Sequence, residues 1–199
     1  MFISERAKCI FVHIQKTGGV SVEAALRQHE DGIGGGRPGR QGRQHMFATE
    51  LRTMVRPDQW RDYYKFAFVR NPWDRLVSWY HMCMQAPETN AFGRHIKENA
   101  PTFEAFLTTT TTGIAQRTTY NQLDYVADGN GELIVDFVGR YERLREDFAV
   151  VRARVGLAHN LPHINRSTHA DYRVYYSDTT REIVARRFAR DIGYFGYAF

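Results

Sequence analysis

Lys16-Thr17-Gly18-Gly19-Val20-Ser21 follows directly on the apolar run Lys8-Cys9-Ile10-Phe11-Val12-His13-Ile14 and precedes the helical pattern Val22-Glu23-Ala24-Ala25-Leu26. A glycine turn between a strand and a helix aims backbone N–H groups and the positive end of the helix at one point, which suits a bound anion. Lys16 and the hydroxyls of Thr17 and Ser21 add a charge and two donors to that cradle. Arg70 closes a second apolar run, Lys65-Phe66-Ala67-Phe68-Val69, and Ser78 stands almost two turns into the helix that follows. A guanidinium can fork onto a phosphate, and a hydroxyl can donate a hydrogen bond. His45 sits where a glycine-rich stretch gives way to a helix, and an imidazole that titrates near neutrality can take a proton from a hydroxyl.

Each of these readings has a plainer competitor. The phosphate loop of ordinary ATP and GTP sites runs G-x-x-x-x-G-K-[ST], whereas Lys16 precedes its glycines, so a tight turn with an exposed lysine is the alternative. His13 competes with His45 for the role of base, but lies inside a strand and reads as a structural core histidine. Arg70 could serve a structural ion pair instead. Asp74 and Arg75 are adjacent and point apart on a helix, and either could be a surface charge. Asp136, at the end of Leu133-Ile134-Val135, could pass for the magnesium-binding acid of a nucleotide phosphotransferase, which makes a P-loop kinase the alternative function.

The elements that must position these residues alternate. Strands are expected over 8–14, 65–70 and 133–138, and helices after Ser21, over 46–54, from Pro72 to about Met84, over 102–107, from Glu142 to Val155 and from Asp178 to Asp191. Proline suits the first helical position, so Asn71 is expected to cap the helix that starts at Pro72. Between Pro87 and Pro101 the periodicity breaks, and Thr108 to Thr112 read as a helix end and loop. Strands alternating with helices argue for an α/β fold, a P-loop-like sandwich with a mostly parallel central sheet flanked by helices. At 199 residues the chain fits one domain, 1–199.

Composition narrows the partners. Hydrophobic residues make up 43% and charged residues 25%, which excludes a disordered or collagen-like chain. The 27 basic and 22 acidic residues leave a net charge of +5, which points to phosphate, sulfate or another polyanion. Cys9 and Cys83 match no metal spacing and read as small buried hydrophobes. No stretch reaches the ~20 apolar residues that span a bilayer and no secretory leader precedes the first strand, so a cytoplasmic protein without a membrane span is expected.

With those residues in view, Phe11-Val12-His13-Ile14-Gln15-Lys16-Thr17-Gly18-Gly19-Val20-Ser21 resembles the 5′-phosphosulfate loop of the sulfotransferases that use 3′-phosphoadenosine 5′-phosphosulfate (PAPS). Phe68-Val69-Arg70-Asn71-Pro72-Trp73-Asp74-Arg75-Leu76-Val77-Ser78 resembles the 3′-phosphate motif of the same superfamily, in the form of its carbohydrate branch. Phe137-Val138-Gly139-Arg140-Tyr141-Glu142 and Leu161-Pro162-His163-Ile164-Asn165-Arg166-Ser167 are similar to later segments of that branch. The Gln-Lys-Thr-Gly-Gly form and Arg43-Gln44-His45-Met46-Phe47-Ala48-Thr49-Glu50-Leu51 look most like the heparan sulfate 6-O-sulfotransferases.

The resemblance implies a transferase that moves a sulfuryl group from PAPS to a hydroxyl acceptor, releases 3′-phosphoadenosine 5′-phosphate (PAP) and needs no metal. It makes His45 the base and Lys16 the group that steadies the bridging oxygen. Lys16, Thr17, Gly18, Gly19, Val20 and Ser21 would hold the 5′ end of the donor, Arg70 and Ser78 its 3′-phosphate, with Asn165 and Ser167 closing over it. A glycan or glycolipid acceptor is expected, although a fold does not carry its acceptor with it. Trp73 and Trp79 are assigned to the core. The basic stretch 31–43, with Arg37, Arg40 and Arg43 among six glycines, reads as a mobile loop that could attract an anionic acceptor. It lacks the interleaved aromatics of a nucleic-acid platform, so no nucleic-acid partner is expected.

Overall fold

Strand β1 (Phe2–Ser4) turns back through residues 5–8 into β2 (Cys9–Val12), and the two pair antiparallel with Phe2 opposite Phe11 and Ser4 opposite Cys9. Lys8 takes the left-handed conformation that closes the turn, at φ 45°, and the Ser4 hydroxyl accepts the Ala7 N–H at 2.8 Å. β3 (Tyr64–Val69) and β4 (Phe137–Arg140) then add in parallel, giving a four-stranded sheet in the order β1-β2-β3-β4. The computed structural model describes residues 1–29, 45–109, 120–162 and 170–199.

Contacts divide the chain into two compact units, Met1–Arg70 with Gln122–Arg166, and Asn71–Asn121 with Ser167–Phe199. The whole sheet belongs to the first. The central strands β2 and β3 are buried on both faces, so they read as continuous apolar runs. α1 (Gly19–His29) contributes Val22, Ala25 and Leu26, and α8 (Leu144–Val155) contributes Phe148 and Val151, to a core built on Phe11, Phe66 and Phe68. Phe11 and Phe66 stack at 5.2 Å, and each such buried side chain contributes about 1.5–3 kcal/mol. α2 (Ala48–Met54), α3 (Pro57–Asp62) and the short α7 (Leu123–Val126) complete this unit.

The second unit is helical: α4 (Pro72–Gln85), α5 (Ala91–Asn99), α6 (Phe103–Thr109), α9 (Asp178–Arg187) and α10 (Ala189–Phe195). Trp73, Trp79, Leu76, Phe106, Val184 and Phe188 form its core. Asn71 caps α4 as expected, its side chain accepting the Trp73 N–H at 3.0 Å. Arg75 is fully buried rather than a surface charge, with its guanidinium over Trp79 and Nη1 donating to the Tyr120 carbonyl at 3.3 Å. Cys9 and Cys83 are both buried thiols. No helix among the described residues is long and apolar enough to cross a membrane.

Four expectations change. The strand over 133–138 is confined to Phe137–Arg140, because Asp128 accepts the N–H groups of Asn130 and Glu132, folding the chain back so that Leu133 bridges Ala127. The first residues of the 142–155 helix form a separate 3-10 turn, Tyr141–Arg143. The last helix breaks at Phe188, which lies at φ −109° and ψ 27°. The stretch from Pro87 to Pro101 holds α5, capped by Asn90, whose side chain accepts the Gly93 N–H at 2.8 Å.

Candidate active site

Beyond β2 the chain leaves the sheet at His13 and curls before entering α1. The Thr17 hydroxyl donates to the Ile14 carbonyl at 2.9 Å, and the Ser21 N–H donates to the Gly18 carbonyl at 3.1 Å. Lys16 and Gly18 both adopt left-handed backbone, at φ 68° and 84°. Such a conformation costs a lysine on the order of 1 kcal/mol and a glycine almost nothing. A Cβ on Gly18 would stand 2.6 Å from a Leu144 methyl and 3.2 Å from the Tyr141 ring, and one on Gly19 would collide with the His13 imidazole. The first turn of α1 carries no acidic side chain, so the positive end of the helix is uncompensated there. Val20 is exposed, while Thr17, Gly19 and Ser21 are buried.

Arg70 ends β3 beside this loop. Its Nη1 donates to the Lys16 carbonyl at 3.1 Å and its guanidinium lies 4.0 Å from the centre of the Tyr141 ring. Its own backbone is clamped by Gln122, which accepts the Arg70 N–H and donates to the Arg70 carbonyl, both at 2.8 Å. Tyr141 therefore touches both the loop at Gly18 and the guanidinium.

His45 meets the chain at His13, where it leaves β2. The side chain of Glu50 accepts the Phe47 N–H at 2.8 Å, and the Phe47 ring packs on Tyr125 at 4.6 Å, which fixes the entry to α2 two residues after His45. His45 Nδ1 lies 2.9 Å from the His13 carbonyl oxygen. A carbonyl only accepts, so Nδ1 carries the hydrogen and Nε2 is left as the basic nitrogen of the neutral ring. The two imidazoles meet edge to face, their centres 4.6 Å apart.

His13 is buried, with Nδ1 2.9 Å from Glu23 Oε1. Burial pushes its imidazole below the ordinary value of 6.5 against the pull of the Glu23 carboxylate. Burial works against the Glu23 charge too, yet the His13 hydrogen bond, the chain's first amino group and Arg27 hold that carboxyl below its ordinary range.

The structure thus brings Lys16, Thr17, Gly18, Gly19, Val20, Ser21, Arg70 and His45 into one unit, around one loop. Ser78 is buried on α4 in the second unit. Asn165 and Ser167, the stretch 31–43 and the later part of the threonine run lie outside the described residues. Asp136 stands before β4, at the end of the sheet opposite the loop, and pairs with Lys65 Nζ at 2.9 Å. It is therefore not placed to hold magnesium at the loop. Glu23, Gln122 and Tyr141 escaped the sequence as site residues; only Tyr141 lay in a segment whose resemblance could have flagged it.

The sequence pattern of the Sulfotransferase family matches residues 1–198. An uncharacterized protein of Archaeoglobus fulgidus is 31% identical over 133 residues, covering 64% of this chain and 98% of that protein. The crystal structure of mouse sulfotransferase SULT7A1 complexed with PAP superposes with a TM-score of 0.58 at 15% identity, over 96% of this chain and 86% of the mouse chain, and so shares the fold. A helix-flanked sheet with a glycine loop at the end of β2, matched by the family pattern over nearly its whole length, places this chain in the sulfotransferase family.

Proposed function

We propose that the chain transfers a sulfuryl group from PAPS to a carbohydrate hydroxyl, with His45 as general base, and that residues 1–199 work as a single catalytic domain. The observation that carries this reading is the bond from His45 Nδ1 to the His13 carbonyl, which leaves Nε2 as the proton acceptor beside the loop. The PAP bound by the structural neighbour supports PAPS as donor. The fit of the loop supports it as well: glycines that exclude side chains, a helix start without acid, and Lys16 at the turn.

In the proposed reaction the acceptor oxygen attacks sulfur as its proton passes to His45 Nε2. The bond from sulfur to the bridging phosphate oxygen breaks, and the electron pair leaves with PAP. Charge growing on that phosphate is met by Lys16 and by the N–H groups of Gly18, Gly19 and Val20. Arg70 and Ser78 would hold the 3′-phosphate, with Asn165 and Ser167 covering the donor. The resemblance of the motif around His45 to the heparan sulfate 6-O-sulfotransferases supports a carbohydrate acceptor.

Calorimetric titration of the purified chain with PAP, beside ATP with magnesium, tests the donor. PAP binding with little ATP affinity is expected, and magnesium-dependent ATP binding indifferent to a 3′-phosphate would restore the phosphotransferase alternative. Incubation with PAPS and N-sulfated heparosan tests the acceptor, and sulfation of simple alcohols but not of that glycan would reject the carbohydrate class.

A further inference from the structure

The proposed transfer gives no part to a buried carboxylate and imidazole beside the base. Glu23 is 7% exposed and His13 5%, and they sit 2.9 Å apart among apolar neighbours on β2 and α1. A buried carboxylate is a poor device for stability alone, since its charge has to be taken out of water. Its placement is specific. One edge of the His13 ring faces Glu23, the Cδ2–Nε2 edge lies against Gly19 at the start of the anion-binding helix, and the ring meets His45 edge to face. The backbone carbonyl of the same residue receives the His45 Nδ1 hydrogen.

We propose that Glu23 and His13 are positioning residues for the base. The Glu23 carboxylate fixes the His13 ring between Gly19 and His45, and its negative charge, one imidazole away from His45, steadies the imidazolium that forms when His45 takes the acceptor's proton. This rests on His45 being the base. A carboxylate only accepts, so the bond to Glu23 puts the His13 hydrogen on Nδ1, and a neutral His13 adds no repulsion to a cationic neighbour.

Other charges bear on Glu23. Arg27 Nη2 stands 3.4 Å from Oε2, and the Met1 amino group 3.6 Å from Oε1. Burial pushes that amino group down to about 6, so it is mostly uncharged at pH 7. Arg27 is half-exposed, and its charge offsets that of Glu23 only in part. On the side of α2, Glu50 is engaged by the Phe47 N–H.

The test reads the His45 ring by proton–carbon NMR over pH 5 to 9, in the full chain without acceptor, with its signal assigned from His45→Gln. Glu23→Gln keeps an oxygen to accept the His13 hydrogen and removes the charge. The His45 titration midpoint should fall by about half a unit or more, while calorimetric affinity for PAP stays within about twofold. Arg27→Gln, on the more exposed side of α1, should move the same midpoint upward, and it decides the matter if Glu23→Gln does not fold. Midpoints that stay put in the folded variants would overturn the proposal and leave the base assignment intact. Turnover retained by His45→Gln would instead overturn the base assignment, whatever the midpoints do.

Discussion

Arg70 Nη1 donates to the carbonyl oxygen of Lys16 at 3.1 Å, tying the end of β3 to the strained residue of the loop after β2. The two segments come from motifs 54 residues apart in sequence. Parallel pairing of β2 with β3 sets Val12 against Ala67, so both chains leave the sheet on the same side and the guanidinium can reach the loop. One cation therefore ties the loop after β2 to the end of β3.

Arg70→Ala should destabilise the chain by about 1–3 kcal/mol, because a partly buried carbonyl loses its charged donor and the Tyr141 ring loses its cover. PAP binding should weaken with it. Arg70→Lys keeps the charge without the fork and should fall between the two. Chemical denaturation and PAP calorimetry on the same samples separate the effects; full PAP affinity in Arg70→Ala would confine the arginine to bracing the loop.

Gly19→Ala probes the close approach of loop and imidazole. A methyl there collides with the His13 ring, so either His13 shifts away from Glu23 and His45 or the first turn of α1 opens. About 1–3 kcal/mol of stability should be lost, together with at least tenfold in PAP affinity. A crystal structure of the variant with the imidazole in place and affinity unchanged would remove Gly19 from the cradle.

His45→Gln should bind PAP within about twofold of the parent chain and lose about 10²–10⁴-fold in turnover, the usual worth of a positioned base. Glutamine can still donate toward the His13 carbonyl, so the loss would report proton transfer rather than collapse of the entry to α2. Initial rates with the acceptor found by incubation with PAPS decide it.

Lys16→Ala should cost about 10²–10³-fold in turnover, since the charge that meets the leaving phosphate is gone. Stability should change little, because alanine in left-handed backbone is about as strained as lysine. Unchanged rates would remove Lys16 from the mechanism.

Much of this arrangement was legible because local chemistry and fold agreed. Pro72 behind Asn71 announces a capped helix, and the apolar runs around Phe11 and Phe66 announce buried parallel strands. What stayed hidden depends on partners distant in sequence. Glu23 looks like an ordinary surface carboxylate of a helix until His13 is seen opposite it. Gln122 is one amide in a polar stretch, and its role comes from the Arg70 backbone 52 residues away. Arg75 looks like a surface charge because only the packed helices show the Trp79 face and Tyr120 carbonyl that bury it. Leu133-Ile134-Val135 has the composition of a strand, but the turn anchored by Asp128 takes it elsewhere.

The buried pair also dictates how the fold responds to acid. His13 binds its proton less readily in the folded chain than unfolded, so the unfolded state holds more protons as pH falls below 6.5. Glu23, also shifted down, likewise binds its proton more readily when unfolded, which matters below 4.5. Both shifts have the same sign: their stabilisation is fully present above the ordinary value of each group and is lost as pH falls through its folded value. The Met1 amino group, lowered from 8.0 to about 6 by burial, adds a loss of the same sign above that range, so thermal melting from pH 7.5 to 4 should show a decline already under way at 7.5 that continues through 6 and steepens below 4.5. His13→Gln, which cannot titrate, should show a lower melting temperature and a shallower decline below pH 6.5, with the part due to the Met1 amino group remaining. A parent chain equally stable at pH 7.5 and 5 would mean that His13 takes up its proton in the folded state as readily as in the unfolded one.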